Sequence, residues 1–369
     1  MQSSQWTPIA APLRVQLTTH NSKAMNYRTV DTILIGVSVI AVLFLILNFA
    51  DLSNQAQSGL SYSAAADYKI TRIEPGSPAD EAGFEVGDRV LMNGGIEVTN
   101  SKAFTERARP AVGDVREYVI ERDGEQMTKS LMFGPVLQRT RLFSYLNYIT
   151  AFCFLICGIW PYLKKRNPQS ALFALTGATF FLLLIGPPYF ASFSLRTAIS
   201  YIFFPIAFSS LAFLVHFALS YPERNSWLDK KMAMPMIYGP VVFLTLYSAI
   251  LAIARPDTTS AFARINQLIS AVIIGGFLVA AVYLLIRMYL KADAEKRSAF
   301  GLNIMLIGIL IALLPTIASI VMNAVSPGTI FPAFDFLAYT LILLPIAFAY
   351  AIVKAPLPAK EAVGIAAEA

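Results

Sequence analysis

Between Asp31 and Asp51 the chain runs for nineteen residues, TILIGVSVIAVLFLILNFA, without one charged side chain. At 1.5 Å of rise per residue, a helix of about that length crosses a hydrocarbon core of about 30 Å. A chain with many such runs has few folds open to it, and here they recur. Seven further spans are expected over 142–163, 170–190, 197–220, 235–254, 265–289, 300–322 and 334–353. Charge or turn residues interrupt them, as in KKRNPQ, YPERNSWLDKK, KADAEKRS and VSPGT. Only 14% of residues are charged and mean hydropathy is +0.59, whereas a soluble chain carries roughly 25% charge. The first run starts some thirty residues in and lacks an A-x-A site, which favours a retained anchor; a cleavable signal peptide is the alternative. Met25 is an alternative start to Met1, because the residues before it carry no structural signal.

The net charge of +6 does not indicate a nucleic-acid partner. Residues 59–135 hold 13 acidic and 9 basic side chains, leaving 20 basic and 10 acidic elsewhere, and most of those basic residues flank apolar runs. That pattern sets topology rather than binding phosphates. Eight spans place both termini on one side. With the termini in the cytoplasm, 15 Lys and Arg fall inside and 5 outside: Arg139, Arg141, Arg196, Arg255 and Arg264. The expected fold class is therefore an α-helical polytopic membrane protein of about eight spans with one small extracytoplasmic, mostly β domain, in a bacterial cytoplasmic membrane. The expected organisation is a cytoplasmic tail over 1–31, an anchor helix over 32–50, the small domain over 59–135, a seven-span bundle over 142–353 and a cytoplasmic tail over 354–369. Each tether of the domain is about eight residues, at most some 28 Å when extended, so the domain sits on the membrane surface.

The segment from 59 to about 133 alternates short apolar strands with turns. YKITRI and DRVLM read as strands, SPADEAG and SKAFTERA as helices, and DVREYVIERDGEQMTKSLMF as a hairpin turning at Asp123-Gly124. The stretch PGSPADEAGFEVGDRVLMNGG, preceded by GLSYS, resembles the PDZ domain family, with GLSYS in place of that family's GLGF strand. The resemblance implies an extended peptide or protein ligand that adds as a strand to an exposed sheet edge. It implies a groove of Gly59, Leu60, Ser61, Tyr62 and Ser63 on one side, with Phe104 and Arg107 on the helical wall opposite. Pro75, Gly76, Ser77, Pro78, Gly87 and Asp88 serve equally as structural turns. Ser61 and Tyr62 depart from the Gly and Phe of the motif.

VHFALSYPER, KADAEKRSAFG and the closing LLPIAFAYAIVK are similar to the input regions of bacterial sensor kinases. The layout as a whole resembles the sensory half of competence-pheromone receptor kinases, without a kinase. With two histidines, no H-E-x-x-H, no G-x-S-x-G and no phosphate-cradling loop, the expectation is no enzyme, no metal and no cofactor. Cys153 and Cys157 lie four apart in one span and are expected as buried small residues. Asn147, His216, Asn266, Gln267, Arg287, Asn303, Asn323 and Asp335 are the polar residues in or beside spans, mostly as interhelical partners. Pro205, Pro315 and Pro345 interrupt spans, where a kink either opens a cavity or is packed by neighbouring helices. The functional expectation is a non-catalytic receptor or signalling subunit that recognises a peptide or protein, in contact with membrane lipids and a separate kinase. The alternative is an accessory subunit docking into a larger membrane complex.

Overall fold

The computed structural model describes residues 27–188, 190, 192–326 and 338–356. Seven described helices are long and apolar enough to cross a membrane: α1 (Tyr27–Leu52), α4 (Gln138–Lys164), α5 (Pro168–Ile185), α6 (Phe193–Ser220), α7 (Ala233–Ala254), α8 (Ser260–Lys291) and α10 (Leu302–Val325). A six-residue helix, α9 (Ala294–Ala299), precedes α10. The expected eighth span begins outside the described residues, as does Asp335. From Ala338–Ile342 the chain forms a 3-10 turn and then α11 (Leu343–Lys354). Tyr339–Lys354 is apolar but shorter than the other seven, so among the described residues seven helices meet the length needed to span. They fit an integral membrane protein. The two terminal tails lie largely outside the described residues.

Local chemistry explains the helix boundaries. Asn167 caps α5 from below and Ser170 reciprocates, with Pro168 in the first turn. α4 and α5 approach so closely that a Cβ on Gly177 would lie 2.4 Å from the Phe154 carbonyl oxygen and 2.9 Å from the Gly158 Cα. α11, short as it is, is firmly packed. Phe348 is fully buried and stacks on Phe173 at 5.8 Å and tilts against Phe217 at 5.6 Å. Cys153 and Cys157 are free thiols 3.6 Å apart on α4 and only half-buried.

Between α1 and α4 the chain leaves the bundle to build a small domain. Its elements are β1 (Ala56–Gln57), β2 (Leu60–Tyr62), β3 (Ile70–Ile73), α2 (Pro78–Glu81), β4 (Arg89–Asn93), β5 (Ile96–Glu97), α3 (Ser101–Glu106), β6 (Val115–Arg122), β7 (Glu125–Met132) and β8 (Gly134–Pro135). β5-β4-β6-β7 form one antiparallel sheet and β2-β3 a second ladder. Asp123 and Gly124, both with positive φ, turn the β6–β7 hairpin where the sequence places it. Tyr68, Ile70, Ala79, Phe84, Val90, Val98, Tyr118, Ile120, Leu131 and Phe133 are its core.

The tethers are not loose. β1 pairs with β8, Ala56 opposite Pro135 and Gln57 opposite Gly134. Beneath that ladder, Arg109 forms a 2.7 Å ion pair with Asp51 at the end of α1. Thr140 on α4 donates to Glu74 at 3.2 Å. The domain is thus clamped over the ends of α1 and α4.

Candidate peptide-recognition groove

β2 and α3 are the walls that the sequence assigns to a groove. Gly59 enters β2 with φ +79°, and a Cβ there would sit 2.1 Å from the Ser77 Cβ and Oγ. That glycine is required by close packing against the turn before α2, whatever else it does. The Gly59 carbonyl accepts from Glu74 N–H at 3.0 Å, and Leu60 N–H donates to Ser58 Oγ at 3.2 Å. The Leu60 N–H is therefore engaged by its own loop, and a ligand must exchange with a serine hydroxyl to use it. Ser61 O accepts from Thr71 Oγ1 at 3.2 Å. Ser63 caps a 3-10 turn over Ala64–Ala66.

On the facing side, Phe104 packs against the domain core. The Arg107 guanidinium sits 5.9 Å from the Phe104 ring centre and donates to Asn93 O at 2.7 Å and Asn93 Oδ1 at 2.8 Å. Asn93 in turn donates to the hydroxyls of Tyr62 at 3.1 Å and Tyr118 at 3.0 Å. Burial pushes the Tyr62 and Tyr118 hydroxyls above their ordinary range and pulls Arg107 below its own. Both tyrosines stay neutral and Arg107 stays charged at physiological pH. The tyrosine that replaces the motif's phenylalanine thus ties the β2 wall to Arg107 through one buried asparagine. Of the seven expected groove residues, the structure links Tyr62 to Arg107 through Asn93, with Phe104 beside Arg107, while Gly59, Leu60, Ser61 and Ser63 lie in or beside β2.

The polar turn after α2 has its own lock. Asp88 is 2% exposed and accepts from Arg122 Nε at 2.6 Å and Nη2 at 2.7 Å. Burial alone would raise its carboxyl, but the Arg122 hydrogen bonds and the Glu85 N–H outweigh that and hold it below the usual carboxylate range. Gly87 and Asp88 therefore act here as structure.

What the sequence did not reveal is what the ends of β2 and α3 face. Ser63 and Ser101, at the same end of β2 and α3, line a cavity of about 460 Å³ whose far wall is Pro256 and Thr258 of the α7–α8 connection with Phe262 and Ala263 in the first turn of α8. Thr258 N–H donates to Thr99 O at 2.9 Å, and Tyr68 Oη donates to Thr258 O. Arg264 Nε donates to Ala65 O at 3.0 Å, Arg196 Nη2 to Thr105 O at 2.9 Å, and Arg255 pairs with Glu106 at 2.6 Å. Arg255 also lies 4.3 Å from the Phe193 ring centre and adopts φ +44°, unusual for a side-chain-bearing residue. Three of the five arginines that entered the sequence reading only as a topology count thus fasten the domain to α6, α7 and α8. The signal was present in the opposite charges of the domain and these loops.

No group of three or more His, Cys, Asp or Glu suited to a metal ion occurs among the described residues. His20 lies outside them, and His216 Nδ1 is 2.9 Å from Tyr238 Oη.

Residues 69–128 match the PDZ domain family. Two proteins align over 62 residues at 39% identity, one from Brucella suis biovar 1 and one from Brucella melitensis biotype 1, each named "putative zinc metalloprotease". The alignment covers 17% of this chain and 16% of each relative. No solved structure matches the chain. These relatives overturn the expectation that the chain is no enzyme: the region they share with it occurs in proteins named for proteolysis. The missing H-E-x-x-H spoke only of one arrangement of zinc ligands, not of the company this domain keeps. The described residues do not by themselves fit a zinc site, so no hydrolytic step follows from them.

Proposed function

We propose that this membrane protein recognises an extended segment of a peptide or protein in the β2–α3 groove and couples its occupancy to the membrane helices. The observation that supports this most is the fastening of the groove's Ser63–Ser101 end to the α7–α8 connection. A ligand extending past that end must enter the 460 Å³ cavity or displace the connection. Either event reaches α7 and α8 through Thr258, Arg255 and Arg264. A two-state element of this kind responds to the difference in ligand affinity between its states. In the orientation that the basic residues favour, the domain lies outside a bacterial cytoplasmic membrane. The receptor-like layout supports a signalling role through a separate partner; docking into a larger complex uses the same groove.

A second reading is favoured by the relatives. A domain shared with zinc metalloproteases fits selection of a polypeptide for cleavage at the membrane. Metal-dependent peptide hydrolysis by the purified chain, abolished by chelation and restored by zinc, is its test.

For the first reading, peptides selected from a random display library on the full chain in nanodiscs are titrated by fluorescence anisotropy. Saturable binding is expected, weakened about tenfold or more in Leu60→Pro, which removes an edge donor. Selection yielding no saturable peptide, or unchanged affinity in a folded Leu60→Pro variant, overturns the groove.

A further inference from the structure

The end of the bundle away from the small domain carries a second recess. α6, 28 residues long, begins beside the domain, where Arg196 reaches Thr105, and ends at Ser220, about 40 Å away. There a polar pocket of about 350 Å³ is bounded by Arg224, Arg287, Lys291 and Lys296, with Glu223. It continues into an apolar cleft of about 680 Å³ between α6, α7 and α8. The two recesses share Leu219, Asn225, Leu284 and Arg287.

The charges do not cancel. Lys296 is 3.0 Å from Glu223 and Arg224 is 3.0 Å from Asp229, so those cations are paired. Neither Arg287 nor Lys291 has a hydrogen-bonding or ion-pairing partner among the described residues. They stand one turn apart on α8, on one face. The cleft beyond them is lined by Val215, Ile237, Pro240, Val272, Gly276 and Phe277, with Trp227 at its rim. A Cβ on Gly276 meets no atom within 4 Å, so the cleft is open at that point. Two uncompensated cations joined to an apolar slot match one chemistry: an anionic head on an acyl chain.

We propose that this recess binds one anionic phospholipid, its phosphate held by Arg287 and Lys291 and an acyl chain laid along Gly276 and Phe277 between α7 and α8. Basic pockets between membrane helices take such headgroups by charge. An ordinary annular lipid needs neither cation. Because α8 also carries Arg264 at the opposite end, the lipid and the small domain grip the same helix.

The test is native mass spectrometry of the full chain released from nanodiscs of mixed phosphatidylglycerol and phosphatidylcholine. One phosphatidylglycerol is expected to be retained in preference to phosphatidylcholine. Retention is expected to fall roughly tenfold in Arg287→Gln/Lys291→Gln and to survive in the charge-conserving Arg287→Lys/Lys291→Arg. Gly276→Leu, whose Cβ meets no atom within 4 Å and whose side chain would take up cleft space, is expected to lower retention as well. Equal retention of the two lipids, or retention unchanged in the Gln pair, overturns the proposal. So does loss of the bound lipid to millimolar inorganic phosphate, which would make this a site for free phosphate.

Discussion

Gly59 and Asp88 show how single residues hold the small domain in shape. Gly59→Ala combines a positive φ with a Cβ only 2.1 Å from the Ser77 side chain, so the domain should lose about 2 kcal/mol or more. Faster hydrogen exchange at β2 and β3 in the full chain, with the helices unchanged, is the expected reading. Asp88 has a folded-state value below the ordinary carboxylate range of about 4. Its stabilisation is therefore complete above that range and is lost as pH falls through it toward the folded value. Domain exchange should accelerate on acidification below about pH 4 in the native protein. In Asp88→Asn the domain should already be looser at pH 7 and that share of the acid response should vanish. At this scale the motif was legible, because Pro, Gly and Asp at fixed spacing have few uses other than turns. The role of Tyr62 was not legible: its link through Asn93 to Arg107 joins residues 31 and 14 positions from Asn93.

Among the elements, the hairpin turn and the apolar spans were readable because each depends on local sequence alone. What apolar length alone did not show is how firmly the last helix packs, with Phe348 fully buried against its neighbours. The packing of α4 on α5 rests on Gly158 and Gly177, and Gly177→Ala must push backbone against backbone. It should cost about 1–3 kcal/mol, visible as a lower melting temperature of the whole protein in detergent. At the C-terminal end of α7, Arg255 occupies a left-handed conformation that glycine adopts without strain. Arg255→Gly thus keeps the backbone turn while removing the Glu106 pair and the Phe193 contact. Unchanged helix content with faster exchange in α3 is the expected outcome, read by circular dichroism and mass spectrometry.

For the molecule as a whole, the small domain and the bundle act as one unit because they are joined at two places. One is the β1–β8 ladder over α1 and α4, and the other is the set of contacts from Thr258, Arg255 and Arg264. The first was foreseeable from the short tethers. The second required the fold, since it brings together residues nearly 200 positions apart. If the α7–α8 connection competes with ligand, Arg264→Gln/Glu106→Gln should bind the selected peptides more tightly, by roughly threefold to tenfold for one part-buried and one exposed polar contact. The most direct test is hydrogen exchange of the full chain in nanodiscs, with and without a selected peptide. Slower exchange at 60–62 together with faster exchange at 256–264 is the predicted result. Protection at 60–62 with no change at 256–264 would contradict the coupling, and no protection at 60–62 would contradict recognition in this groove.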